Sequence, residues 1–363
     1  MFEAKKSRVY TTTLCGTACA LLAACGTAMV NPPRIVAEGA KWAEVSRAGL
    51  FTSEGVVAAR DGMIYATDIT RPEAIKHNNP GGTIYRYDPS TGITTKFMEP
   101  SGMANGLHVD RNGDLIIAQE ADGGGRAILR RNLTSGATTV LANSYQGKRL
   151  TGPNDVTSDA RGRIYFTDAR YFGDEPIELP NAVYRIDPDG KITQLATDIL
   201  RPNGIEVSPD GRRLYVAASN IPILARNPLG PAQDRFGLKL GGIVVYDLNS
   251  DGNISNGRVF HRDDELVADG MTLDTQENLY IALHNGSRQP PRGEIVVLNP
   301  AGEVLAKIAP PEGLRPGNLG FGRGRDATSL YMTTLFQWRL YRIKTVRRGH
   351  YFEQPGRSGR SLS

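Results

Sequence analysis

Thiols are nearly missing from this chain: of 363 residues only three are cysteine, at positions 15, 19 and 25. Everything after residue 25 therefore lacks the thiols for a disulfide framework or a cysteine zinc site, and stability must come from packing and bound ions. Histidine is scarce as well, with five in the chain. No HExxH, GxSxG or Walker A pattern occurs, which removes the common zinc-protease, serine-hydrolase and P-loop readings. A dominant charge is lacking too, since 43 Lys and Arg stand against 38 Asp and Glu, so nothing calls for a nucleic acid partner. Residues 347–363, with Arg347, Arg348, Arg357 and Arg360, read as a small basic tail that frays at the C-terminus. Long apolar runs are absent except for residues 14–24, which are too few to span a bilayer.

That run has a basic start in Lys5, Lys6 and Arg8 and ends Leu22-Ala23-Ala24-Cys25-Gly26. It resembles a bacterial lipoprotein signal, which implies a cleaved segment 1–24, a lipidated Cys25 as membrane anchor and an exported, cell-envelope protein. Gly rather than Asp at position 26 favours the outer membrane. Residues 25–44 then form a linker to the folded part.

What the sequence has in abundance is glycine, 41 residues, and short apolar runs that each follow a polar turn. Such runs recur as Met63 to Asp68, Leu115 to Glu120, Ile164 to Asp168, Leu214 to Ala218, Leu279 to His284 and Leu330 to Thr334. With Gly62, Gly113, Gly162, Gly211, Glu277 and Ala327 as equivalent turn positions, the spacings are 51, 49, 49, 66 and 50 residues. That is the length of a propeller blade. Further strand-like motifs such as Thr83 to Asp88, Ala182 to Asp187 and Ile243 to Asp247 follow the runs. The expected fold is all-β: a six-bladed propeller over residues 45–346, with four antiparallel strands per blade around a central metal site. The strand that closes the ring stays open, because either end of the mature chain could supply it. A monomer is expected.

Eight residues before five of the turn positions stand Glu54, Asn105, Asn154, Asn203 and Asp269; Asn318 lies nine before the sixth. All carry a side-chain oxygen. Because the first strand of a propeller blade lines the axis, the repeat phase predicts a ring of these oxygens at one channel mouth. Oxygen donors without thiol or converging imidazole suit one divalent hard cation, Ca²⁺ before Zn²⁺, Mn²⁺ or Mg²⁺. The plainer alternative is that Asn105-Gly106, Asn203-Gly204 and Asp269-Gly270 are ordinary turn dipeptides. Chain direction brings the ends of the second strands, Asp68, Glu120, Asp168 and His284, to the same mouth. The long connections from 69 to 82, 169 to 181 and 219 to 241 would then wall a pocket.

The segments Thr151-Gly-Pro-Asn-Asp-Val, Arg201-Pro-Asn-Gly-Ile-Glu and Ala268-Asp-Gly-Met-Thr resemble the gluconolactonase and regucalcin (senescence marker protein) family, with the likeness running over residues 45 to 345. The resemblance implies a metal held by Glu54, Asn154, Asn203 and Asp269, and Asp155 beside it. It implies a metal-dependent hydrolase of lactones, with Asp269, or else Asp155, activating water or attacking directly. Asn105 and Glu120 would hold the hydroxyls of a small lactone or ester substrate. Aryl-ester or organophosphate hydrolysis at the same site is a second reading, and a non-catalytic, metal-stabilised binding propeller a third. Asp247 to Gly252 opens like a calcium loop, but Arg258 stands where the loop needs Glu, so a hairpin turn is expected. His108 and His284 are each candidates for a base, or for packed imidazoles.

Overall fold

The computed structural model describes residues 34–69, 81–120, 124–171, 176–220 and 234–353. The lipoprotein-type segment with Cys25, and much of the three long connections, lie outside the described residues. Six four-stranded antiparallel sheets form among the described residues, each a meander in sequence order except the last. The innermost strands are Ser53–Ala58, Ala104–Val109, Pro153–Ser158, Pro202–Val207, Val267–Leu273 and Pro316–Phe321. They open blades 1 to 6 in turn. The six-bladed propeller expected from the repeat is thus the fold.

Each blade presents two faces to its neighbours, which explains why the second and third strands read as unbroken apolar runs rather than alternating ones. Leu115–Gln119 and Leu279–His284 are buried at every residue, whereas the outer strand Ile93–Met98 has no buried residue. Six apolar clusters result, each spanning two adjacent blades; one joins Tyr215, Ile243 and Val245 of blade 4 to Met271, Ile281 and Val296 of blade 5.

The turn positions chosen from the sequence are real for five blades. Gly62, Gly113, Gly162 and Gly211 have positive φ, and Glu277 adopts φ 64° in the same place. Ala327 departs from the pattern, because blade 6 replaces the tight hairpin with a 3₁₀ turn at Gly324–Asp326. The Asp247 to Gly252 segment is a hairpin turn between Gly241–Leu248 and Ile254–Asp263.

The N-terminal side closes the ring. Ala43–Ser46 pairs antiparallel with Leu340–Lys344 as the outermost strand of blade 6. Joining the two ends of the chain in one sheet covers what would otherwise be an open edge. The C-terminal side does something the sequence did not announce. Residues 347–353, expected to fray, cross beneath the far end of the axis: Thr275 N–H donates to Arg348 O (2.9 Å) and His350 N–H to Leu273 O (3.0 Å). Tyr351 packs on the clusters between blades 5 and 6, 6 and 1, and 1 and 2, and Phe352 on that between blades 3 and 4.

Candidate active site

All six innermost strands break register with their partners at one place. Two residues stand against one: 54 and 55 against 67, 105 and 106 against 118, 154 and 155 against 167, 203 and 204 against 217, 269 and 270 against 282, 317 and 318 against 333. A bulge of this kind frees backbone groups and re-aims a side chain. The first bulge position holds Glu54, Asn105, Asn154, Asn203 and Asp269, all buried. Blade 6 contributes no side chain there, because its first bulge residue is Gly317. A methyl at that glycine would sit 3.2 Å from Glu54 Oε2. Asn318 is therefore not a ring member; it occupies the second bulge position, equivalent to Asp155.

That second position explains the glycines. Gly55, Gly106, Gly204 and Gly270 fill it in the other four blades, and none has positive φ, so the turn-dipeptide alternative does not hold. Each is needed for close approach. A methyl at Gly55 would collide with Asn105 O, at Gly106 with the Asp155 side chain, at Gly204 with Asp269 O and at Gly270 with the Asn318 amide. Between blades 3 and 4 a threonine makes the link instead: Thr167 Oγ1 donates to Asn203 O (2.7 Å) and accepts from Asp155 N–H (3.0 Å). Thr333 Oγ1 repeats this with Glu54 O (2.6 Å) and Asn318 N–H (2.9 Å), and Thr67 Oγ1 donates to Asn105 O (3.0 Å). The contacts run from blade to blade around the whole ring.

One layer further along the axis, Asp155 and Asn318 line the same chamber. Burial, reinforced by the nearby Asp269 carboxylate, pushes Asp155 up to about 7. The second-strand ends divide into two roles. Asp68 and Asp168 accept backbone N–H groups from the segments that enter blades 1 and 3, at Leu50, Phe51 and Thr52 and at Thr151 and Gly152. Burial raises Asp168 to about 6 against those bonds. Glu120 and His284 instead reach the ring. Asn105 Nδ2 donates to Glu120 Oε2 (3.4 Å), and His284 Nε2 lies 2.9 Å from Asp269 Oδ2.

Of the two candidate histidines only His284 reaches the mouth. His108 faces away from the mouth, toward a chamber of about 40 Å³ on the far side, where its Nε2 lies 2.9 Å from Ser158 Oγ. Tyr171 was not singled out by the sequence: its hydroxyl donates toward Arg201 O (3.4 Å) and Pro202 O (3.3 Å), with burial raising its pKa. It follows Asp168 by three residues, at the start of one of the long connections, and no motif marks it.

The donor set fits a hard cation on chemistry alone. Two carboxylates and three amides line one mouth, and among the described residues no cluster of three His, Cys, Asp or Glu offers a softer or more acidic alternative.

Comparison with known proteins agrees with this architecture. The family described as SMP-30/Gluconolactonase/LRE-like region matches residues 52–235 and 238–336. A gluconolactonase from Zymomonas mobilis is 29% identical over 270 residues, which cover 67% of this chain and 68% of that protein. The structure of a gluconolactonase from Xanthomonas campestris superposes with a TM-score of 0.66 at 22% identity, over 86% of this chain and 94% of that one. A calcium-binding regucalcin from Agrobacterium tumefaciens superposes with a TM-score of 0.62 at 16% identity, over 88% and 96%.

Proposed function

The chain belongs to the SMP-30/gluconolactonase/LRE-like family, and on that premise we propose that it hydrolyses lactones at the mouth ringed by Glu54, Asn105, Asn154, Asn203 and Asp269. The observation that carries this reading is the set of bulges, which brings carboxylates and amides from five blades to one end of the axis. Glu54, Asn154, Asn203 and Asp269 would hold one divalent cation, Ca²⁺ by donor chemistry. When bound, the ion supplies positive charge to polarise the lactone carbonyl and to balance the oxyanion.

The chain's own groups do the rest. Asp269 takes the proton of the attacking water, and its position is fixed by His284. Asp269 then returns that proton to the leaving alkoxide as the ring opens, while Asp155, one layer beneath the ring, lines the chamber on the far side and takes no part at the mouth. Asn105, braced by Glu120, offers its amide oxygen to substrate hydroxyls. Export and anchoring through Cys25 are part of the same proposal; Cys25→Ser should release the protein from the membrane fraction.

The test is hydrolysis of a panel of gluconolactone, pentonolactones and aryl esters with Ca²⁺, Mn²⁺, Zn²⁺ or Mg²⁺, before and after chelation. Lactone turnover should fall by about 10³-fold on chelation and in Asp269→Ala. A protein that binds the metal yet turns over nothing on the panel would instead be a binding propeller.

A further inference from the structure

His284 is the one imidazole that touches the ring among the described residues, and both of its nitrogens are spoken for. It ends the second strand of blade 5, is 2% exposed, and lies opposite Val267 in the ladder. Gly286 N–H donates to His284 Nδ1 at 2.9 Å. A ring nitrogen that accepts a backbone N–H carries no hydrogen, so in the neutral ring the proton sits on Nε2. That Nε2–H points at Asp269 Oδ2, 2.9 Å away. One backbone amide two residues downstream thus selects the tautomer, and the tautomer fixes a donor on the carboxylate.

We infer that His284 is a positioning residue for Asp269: it occupies Oδ2 with a hydrogen bond, so that Oδ1 alone is presented to the axis. This rests on the reading of the ring as a metal-dependent lactonase site. A carboxylate without the imidazole can rotate about its Cβ–Cγ bond and offer either oxygen, or both. Ligand orientation by a neighbouring donor is worth about 10–100-fold in metal affinity or activity where it operates.

The experiment compares His284→Gln with His284→Leu in the whole chain. Gln can return an N–H near the place of Nε2, and Leu cannot. Ca²⁺ affinity is measured by calorimetry on chelator-stripped protein, kcat and KM on the best lactone of the panel, and melting temperature without metal. His284→Leu should lose about 10–100-fold in Ca²⁺ affinity and in kcat with KM little changed, and His284→Gln should recover most of both. Equal losses in the two variants, or a His284→Leu protein with parental affinity and kcat, overturn the inference. Because the metal-free melting temperature is read in parallel, a purely packing role would show as a loss there with no rescue by Gln, which also overturns it. If Asp269→Ala abolishes turnover while His284→Leu does not, the lactonase reading stands and the positioning role falls; if the parent binds no divalent metal and opens no lactone, both fall together.

Discussion

The two ends of the axis are made by the same six strands and have opposite characters. At the mouth every innermost strand bulges, glycines let neighbouring blades close to backbone contact, and polar side chains are turned inward. Three residues later along the same strands the ladders are regular, and the axis ends in the chamber lined by Val57, His108, Glu206, Thr272 and Gly320. That end is sealed by the C-terminal strap, with Tyr351 stacked 3.7 Å from the Arg323 guanidinium. The comparison teaches that a bulge, rather than the strand itself, makes a propeller axis chemically useful: where pairing is regular, the residues pack and the chain covers them.

Breaking the mouth should have the larger effect, because it strikes stability and metal binding together. Gly204→Ala drives a methyl into Asp269 O, and the overpacking should cost about 1–3 kcal/mol in urea unfolding. It should also weaken metal binding, since the carboxylate of the same residue must move with its backbone. Retention of full stability would mean that blades 4 and 5 are not in close contact there.

At the far end Tyr351→Ala removes a ring that packs on three inter-blade clusters. A loss of about 2–3 kcal/mol is expected, at the low end for a large aromatic because the ring is only half-buried. Metal affinity and kcat should be unchanged, and a fall in either would show that the two ends are coupled.

The smallest effect is one of pH. Glu206 faces the chamber with Thr157 Oγ1 donating to Oε2 (3.1 Å), and burial together with the Asp155 charge pushes it up to about 8. A carboxyl raised in the folded state binds its proton more tightly folded than unfolded. Its contribution to stability is full below its ordinary range and is lost as pH rises through about 8. Glu206→Gln should match the parent at pH 4 and exceed it at pH 9 by about 1–2 kcal/mol, discounted because the carboxyl borders a cavity that water can enter. Parallel stability curves from pH 4 to 9 would exclude a proton on Glu206. Asp155, His108, His350 and Tyr351 face the same chamber and stay in both proteins.

Much of this was legible before any coordinates. Strand runs at a near-constant spacing announce blades, and counting back from the turns found Glu54, Asn105, Asn154, Asn203 and Asp269, because bulge and turn are both set within a single hairpin. In blade 6 the count of nine to Asn318 fell one residue past the ring position at Gly317, since that blade has a 3₁₀ turn where the others have a hairpin. The glycines after the ring residues read as turn formers, although their reason lies in the next blade, about 50 residues or more away. Tyr171 and the linking threonines carry no motif, and the strap looks like any basic tail.

The sequence by itself determined periodicity, strand content and the oxygen-bearing positions, because these depend on residues near one another in the chain. The tertiary structure decided which glycines are indispensable, which strand closes the ring, where the C-terminus goes and which oxygen of Asp269 meets His284. Those are contacts between blades, and the alternation of residues within one blade holds no record of what its neighbour places against it.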